Sequence, residues 1–491
     1  MADKPNIVLI FPDQLRGDTL GCVGHPVIQT PNLDRIAAEG VIFENCYTNS
    51  PLCMPARASL MNGRHVCEHG VWHNEMSADR HGPSHVRSIR DAGYHTALVG
   101  KTHLYAHGPA AGHTARHVHE LRDWGFEDTL ELTGPLASGR MDSPYTDYLA
   151  QKGLLVRHRQ FIRSYVQNMR SGRFRPWEEP PCPLPAEDHL DSYTGRMSAE
   201  WIRNYHGDKP FYLQVLFPGP HDPFDSPAEY RAIYRPEYMP VGTMEVPAEP
   251  VAPYVRGVLQ YSVLDGMTER DKQVLRTFYY GKVTLVDHGI GEVLRALEER
   301  GFLDNTWIIV TSDHGEMAGD HYMLHKMCFY EEALKIPCII RPPRGTAAWK
   351  ASGLCDQIDI AATLLEVAEA KPFEGVINMR SLLPQVKAGP QDPNAQSGKE
   401  VMFSEIWGFS MVHNGRYKMA IEARTRRPVE LYDLASDPRE LRNLVNEPSL
   451  EGVRQELLER HLSLLLNRLD IDRLEHYEKR APAILSRSPW R

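Results

Sequence analysis

Four short apolar runs constrain this chain more than any other feature. They are NIVLIF at 6–11, HTALVG at 95–100, FYLQVLF at 211–217 and WIIVTS at 307–312. Each is apolar at successive positions, so each reads as a strand buried on both faces. Helical patterns lie between them. TPNLDRIAAEG (30–40), PSHVRSIRDAG (83–93) and YYGKVTLVDHGIGEVLRALEERG (279–301) all end at glycine. In the last, Val283, Val286, Ile290, Val293, Leu294 and Leu297 form one apolar stripe. The alternation predicts an α/β fold, with a large, mostly parallel central sheet covered by helices on both faces.

At 491 residues the chain exceeds one typical domain. A polar, Pro- and Gly-rich stretch at 371–400 marks a boundary, giving a main domain at 1–375 and a smaller C-terminal α+β domain at 376–491. The tail APAILSRSPWR (481–491) reads as extended. Residues 105–200 are rich in His, Arg, Gly and Pro and read as loops and helices inserted over the sheet's edge, a pocket segment. Within them RHRQFIRSYVQNMRSGRFR (157–175) is an amphipathic helix with a wet face. A net charge of −9 and a pI near 6.2 argue against nucleic acid or an acidic membrane as partner. No apolar run is long enough to span a bilayer. The opening MADKPNIVLIFPDQ has neither a basic head nor a small-residue cleavage site, so it reads as a core strand and a cytoplasmic location is expected. The eight cysteines lack any C-x-x-C pair and are expected to be thiols.

Each apolar run ends on polar residues. Asp13 and Gln14 follow the first, Lys101 and His103 the second, His221 the third, Asp313 and His314 the fourth. Ligands in an open parallel sheet bind beyond the strands' carboxyl ends, so these groups meet at one edge. Asp13, Gln14, Asp313 and His314 form an oxygen-dominated ligand set, suited to Ca²⁺, with Mn²⁺ or Mg²⁺ as alternatives. Two carboxylates gathered there need neutralising, which a divalent cation would do. Lys101, His103, His221 and Lys326 are cations and a potential proton donor, read together as contacts to an oxyanion and a leaving group. His107, His113, His117 and His119, and His65, His69 and His73, read as solvated or pocket-lining, with a second metal site as the minority reading.

SPLCMPARASLMNGR (50–64) is the remaining feature. Pro55 suits the first helical position, Leu60 and Met61 give an apolar face, and Gly63 stops the helix. Cys53 then stands at a helix N-terminus with Arg57 one turn on, where an anion would be welcome. Its spacing to Arg57 is too short for the cysteine phosphatase loop.

CMPAR resembles the C-x-P-[S/A]-R signature of type I sulfatases, in the alkaline phosphatase superfamily. DQ after the first strand, GKTH, the histidine of PHDPF, SDHGE and the downstream lysine match in the family's order, and ELYDLASDPRELRNL resembles its closing motif. Met54 and Asn62 depart from the small residue and the threonine usual there. Asp13–Gln14 and Asp313–His314 resemble choline sulfatases and phosphonate monoester hydrolases. The resemblance implies that a formylglycine-generating enzyme, reading Cys53, Pro55 and Arg57, oxidises Cys53 to 3-oxoalanine (formylglycine). Cys53 then joins the metal shell. One hydroxyl of the hydrated aldehyde attacks the ester and the other later expels sulfate. Arg57 and Lys101 hold the aldehyde and metal shell, and His103 takes the proton for the elimination. His221 and Lys326 bind the ester oxygens, one of them protonating the leaving group. The expected protein is a homo-oligomeric hydrolase of small sulfate esters. The alternatives are a phosphonate monoester or phosphate diester hydrolase with the same machinery, and a non-catalytic relative that binds a metal and an anion.

Overall fold

The structure is a computed structural model that describes residues 4–108, 111–171, 174–262 and 264–487. Its main sheet comprises β1 (Asn6–Ile10), β2 (Val41–Tyr47), β3 (His95–Gly100), β4 (Asp128–Glu131), β5 (Phe211–Leu216), β6 (Thr306–Val310), β7 (Ile339–Arg341) and β8 (Trp349–Asp356). Their order is β4-β3-β5-β1-β6-β7-β2-β8. β1 pairs in parallel with β5 and β6, and β3 with β4 and β5. Short β7 runs antiparallel to both β6 and β2, which leaves β2 and its parallel partner β8 pointing the same way as β1. The carboxyl ends of β1, β2, β3, β5 and β6 therefore share one edge.

The sheet is apolar on both faces because consecutive residues face opposite layers. Ile7 and Leu9 of β1 pack on one side, Val8 and Ile10 on the other. The principal helices are α1 (Pro31–Ala38), α2 (Cys53–Asn62), α3 (His85–Asp91), α4 (Leu155–Arg170), α5 (Glu269–Glu299), α6 (Gln357–Val367) and α7 (Ile471–Arg487). α2, α3 and α6 cover the first side, α1 and α5 the second. A second, antiparallel sheet follows: β9 (Met402–Ile406), β10 (Phe409–His413), β11 (Tyr417–Glu422) and β12 (Pro428–Asp433), in the order β12-β11-β10-β9. One of its faces packs on Tyr254, Met327 and Tyr330 of the main body, the other on Leu457, Leu462 and Leu474.

The sequence reading and the structure differ in four places. The inserted segment contributes β4, the edge strand, as well as loops and helices; DTLE is too short and polar to show a strand period. α2 begins at Cys53, so Pro55 is its third residue; a proline there still removes an N–H that has no intrahelical partner. α5 starts ahead of its apolar stripe, at Glu269, where Thr268 Oγ1 accepts from the Asp271 amide at 3.2 Å and Asp271 Oδ2 accepts from the Thr268 amide at 2.9 Å. Residues 481–487 of the tail continue α7, whose Leu474 and Tyr477 are anchored in the second domain's core, and 488–491 lie outside the described residues.

Candidate active site

The shared edge gathers every residue that the sequence nominated. β3, β5, β1 and β6 are consecutive in the sheet, and their trailing loops carry Lys101 and His103, His221, Asp13 and Gln14, and Asp313 and His314. β2 leads into α2 with Cys53 and Arg57, and the long loop after β6 returns with Lys326. All of these side chains are buried. The β1 loop is pinned to the β6 loop by Ser312 Oγ, which accepts from the Leu15 amide at 3.0 Å and donates to the Pro12 carbonyl at 2.8 Å. Tyr279 of α5 donates to the Gln14 carbonyl at 2.8 Å. These contacts hold Gln14 at φ 70°, and His103 is likewise left-handed at φ 52°. Such strain in non-glycine residues persists only when surroundings over-determine it.

Cys53 Sγ lies 3.1 Å from His314 Nε2 and 3.8 Å from Asp13 Oδ1. His314 Nδ1 is committed to the Gly315 carbonyl at 2.9 Å, so Nε2 is the nitrogen turned inward. Arg57 bridges both carboxylates, donating from Nε to Asp313 Oδ2 at 2.8 Å and from Nη2 to Asp13 Oδ2 at 3.0 Å. Lys101 donates to the same Asp13 oxygen. Opposite them, Lys326 Nζ sits 2.9 Å from His221 Nε2 and also donates to Gln14 Oε1. His221 Nδ1 faces the Asp222 carbonyl at 2.8 Å and Oδ1 at 3.1 Å.

Burial works against the charge on Asp13, but Lys101, His221 and Arg57 overcome it and hold the carboxyl well below the usual range. Asp313 is lowered too: burial and Asp13 oppose the charge, while His314, Arg57 and Lys101 favour it. Burial lowers His314, which keeps its imidazole neutral and able to accept. Burial, then Lys101 and His107, push His103 well below its ordinary value. Burial opposes the Lys326 ammonium, yet the negative groups around it keep it raised.

Asp13, Cys53, Asp313 and His314 each offer a ligand atom, and these atoms lie within 4.8 Å of one another. Carboxylates with a neutral imidazole nitrogen fit a hard divalent cation, so the donor set agrees with the expectation. Charge balance in this structure does not call for that cation, contrary to the sequence expectation. Arg57 and Lys101 already pair with the two carboxylates, so a metal is not needed to neutralise them. Gln14 differs from the other proposed ligands, because its Oε1 takes Lys326 and its Nε2 donates to Glu316.

Residues 5–370 match the family described as Sulfatase. The chain belongs to the sulfatase family. Residues 319–467 of this sulfatase also match the family described as N-sulphoglucosamine sulphohydrolase, C-terminal. It is 31% identical over 452 residues to an arylsulfatase of Clostridium perfringens, covering 90% of each chain. It is 28% identical over 459 residues to a choline-sulfatase of Rhizobium meliloti, covering 91% of this chain and 83% of that one. Among solved structures, a phosphonate monoester hydrolase of Agrobacterium radiobacter superposes with a TM-score of 0.77 at 25% identity, over 95% of this chain and 96% of that one. The sulfatase is thus a sulfuric ester hydrolase of the alkaline phosphatase superfamily, with that superfamily's two-sheet fold.

A cavity of about 140 Å³ opens over the site. The inserted segment lines it with Pro135, Leu136 and Arg140, and the second sheet contributes Trp407, from the β9–β10 turn. His73 lines it and stacks on Trp407, with ring centroids 6.2 Å apart. His107 lines it as well. His65 meets the Ile377 carbonyl at 3.2 Å and His69 meets Ser59 Oγ at 3.0 Å; among the described residues neither histidine set gathers as a metal site. The sequence reading missed several residues that hold the site. Glu316, which fixes Gln14, stands inside SDHGE. Asp222, beside His221, also faces His325 Nδ1 at 3.3 Å. Lys282 stands just before the apolar stripe of α5, one turn ahead of Val286 on the same buried face, and a lysine there was its signal. Its ammonium donates to the His221 and Pro223 carbonyls and to Asp225 Oδ1, each at 2.8 Å. The same ammonium fills the neighbourhood of a second ligand-like trio, Cys182, His189 and Asp225, and supplies the charge a cation would bring. No helix among the described residues is long and apolar enough to cross a membrane.

Proposed function

We propose that this sulfatase hydrolyses sulfate esters through a nucleophile derived from Cys53, beside one divalent cation, Ca²⁺ first among the candidates. The observation that carries the reading is the position of Cys53, against His314 and Asp13 and next in the chain to Leu52, which lines the cavity together with Lys101, His221 and Lys326. After oxidation by a formylglycine-generating enzyme, position 53 would supply a hydrated aldehyde as nucleophile, and a cation held beside it would favour its deprotonated form. Asp13, Asp313 and His314 would hold the cation, with Gln14 completing the shell by turning from Lys326. Arg57 and Lys101 fix the carboxylates and keep the pocket positive for an anionic ester. Lys326 and His221, 2.9 Å apart, form one proton-donating unit for the departing alcohol. His103 removes a proton in the following step, when sulfate leaves. Two domains at 1–375 and 376–491, a homo-oligomer and a cytoplasmic location complete the proposal, to be checked by limited proteolysis, sedimentation and cell fractionation.

The likeness to a phosphonate monoester hydrolase supports a second reading, in which the same machinery prefers phosphonate monoesters or phosphate diesters. Comparing kcat/KM for 4-nitrophenyl sulfate and 4-nitrophenyl phenylphosphonate separates them. The sulfate ester should win by about 10-fold or more, a gap of roughly 1.4 kcal/mol; the reverse ranking makes the second reading primary. The mass of the peptide containing residue 53 tests the nucleophile. Thiol in every molecule, with no turnover after co-expression with the maturation enzyme, would leave a non-catalytic binder. Replacing His221 or Lys326 by Ala should slow alkyl esters far more than nitrophenyl esters. His103→Ala should instead give a burst of alcohol near one equivalent, then slow turnover that is nearly independent of the leaving group.

A further inference from the structure

His103 has a difficulty that the assigned machinery does not resolve. It is buried, its Nδ1 has no hydrogen-bond partner, and Lys101 and Arg57 both oppose a charge on its ring. A base so placed cannot keep a proton, so the proton needs somewhere to go. The ring of His107 lies against it, with centroids 4.8 Å apart.

We propose that His107 and Glu131 form a second proton-handling pair beside His103, with His107 passing the proton that His103 removes to the cavity it lines and Glu131 latching the turn that carries His103. This rests on the assignment of His103 as the base of the second step. The His107 side chain is 4% exposed, and neither of its nitrogens has a hydrogen-bond partner. Two buried unpartnered nitrogens are costly in a ring that merely packs. Its Nε2 lies 3.6 Å from Glu131 Oε1, an ion-pair distance once the ring is protonated. Glu131, the last residue of β4, is itself buried. Its two oxygens accept from the Thr102 amide at 3.1 and 3.2 Å, and Oε1 accepts from Thr102 Oγ1 at 2.8 Å. Thr102 stands between Lys101 and His103, so this carboxyl group secures the turn in which His103 is left-handed.

The other charged or titratable groups facing the pair are Lys101, Arg57, Asp13, Tyr105, His117 and Glu120. Burial raises the Glu131 carboxyl to about 8 and, with Lys101 and Arg57, lowers His107 to about 3. The imidazole is therefore neutral at rest. The way outward is the cavity itself, which both His103 and His107 line. The transfer is a proton moving from the His103 ring to the His107 ring and on to solvent in the cavity, with no other bond made or broken.

The test uses His107→Ala, His107→Gln and Glu131→Gln in the converted enzyme, with whichever nitrophenyl ester the wild type turns over. In the His107 variants kcat should fall by about 10- to 100-fold while kcat/KM stays within about 3-fold, because only the step after alcohol departure is slowed. A burst of nitrophenol approaching one equivalent should appear, and added imidazole should restore kcat in His107→Ala by about 5-fold or more. Glu131→Gln keeps an acceptor for Thr102 and should show the same split, with a shifted alkaline limb in its kcat profile. Equal losses in kcat and kcat/KM, no burst, or no rescue by imidazole would overturn the pair. If His103→Ala gives no burst, the base assignment fails and the pair falls with it. A burst in His103→Ala with none in the His107 variants overturns the pair alone.

Discussion

The loops after β1 and β6 build two buried ionic clusters of opposite character. Their first residues, Asp13, Gln14, Asp313 and His314, belong to the candidate active site. A few residues further on, Arg16 and Asp320 make a closed cluster with Lys272 and Arg276 of α5. There Asp320 Oδ2 accepts from Arg16 and Arg276, and Oδ1 accepts from Lys272 at 2.8 Å and from the Thr243 amide at 2.7 Å, so both oxygens are saturated. In the site, by contrast, Cys53 Sγ, His314 Nε2 and Asp13 Oδ1 face one another, and Lys101 and Lys326 line a cavity. Saturated charges anchor a loop, while charges left facing a cavity can act on a substrate. Placing both on the same two loops lets the first hold the second still.

The largest effect should come from the open cluster. Cys53→Ala should lose at least about 10⁴-fold in turnover with Tm unchanged within about 2 °C, because the residue carries chemistry and little volume. A large fall in Tm would mean that the open cluster is also an anchor. Asp320→Ala should do the reverse, lowering stability by about 3–5 kcal/mol by stranding the buried Lys272 and Arg276, while Arg16 keeps Asp18. Its turnover below the unfolding range should stay within about 3-fold. The Asp320 carboxyl is held well below its ordinary value, because Arg276, Arg16 and Lys272 outweigh burial. Its contribution to stability is therefore complete above about pH 4 and lost as the pH falls further. Urea titrations at pH 7 and pH 3 should show wild type and variant converging at the lower pH.

Asp13→Asn and Asp313→Asn sharpen the comparison from the metal side. Each should lower turnover by about 10²–10³-fold, and each should abolish the rise in Tm that added Ca²⁺ gives the wild type. Elemental analysis finding a full equivalent of metal in both variants would remove them from the ligand set. The smallest effect concerns a third kind of buried acid, Glu430 in β12. Burial raises it from 4.5 to about 7, and its Oε2 has no hydrogen-bond partner. A folded-state value above the unfolded one means that stability falls as pH rises from about 4.5 to about 7, then levels off. Glu430→Gln should therefore shrink the difference in Tm between pH 5 and pH 8 by a few degrees.

The main sheet was legible because the strands at 6, 95, 211 and 306 are each apolar on both faces and end on a polar residue. The site was legible for the same reason, since chain direction alone sends strand ends to one edge. Other features were not. β4 is short and polar. Glu131 and Lys282 act on His103 and His221 from elements remote in the chain, and no spacing links them. The pairing of Arg57 with both carboxylates is a matter of distances, which is why counting charges along the sequence overstated the need for a metal. Trp407 reaches the cavity only because the second sheet docks there, and its two-residue turn, with Trp407 at φ 51° and Gly408 at φ 81°, carries no marker of that contact.

The burial of α2 sets a timetable for the protein's biogenesis. Cys53, Pro55 and Arg57 are all buried in the finished fold, and every residue of that helix is enclosed with them. Under the maturation proposed above, an enzyme that must grip those three residues to oxidise the sulfur would find nothing to hold on the native surface. Its opportunity is the nascent chain, after the segment has emerged and before β6, which begins at Thr306, arrives to wall it in. A chain that folds too early is sealed with an ordinary thiol at its centre. That maturation predicts a race during translation, in which slowing synthesis downstream of the helix should raise the fraction of converted molecules, read as the mass of the peptide containing residue 53.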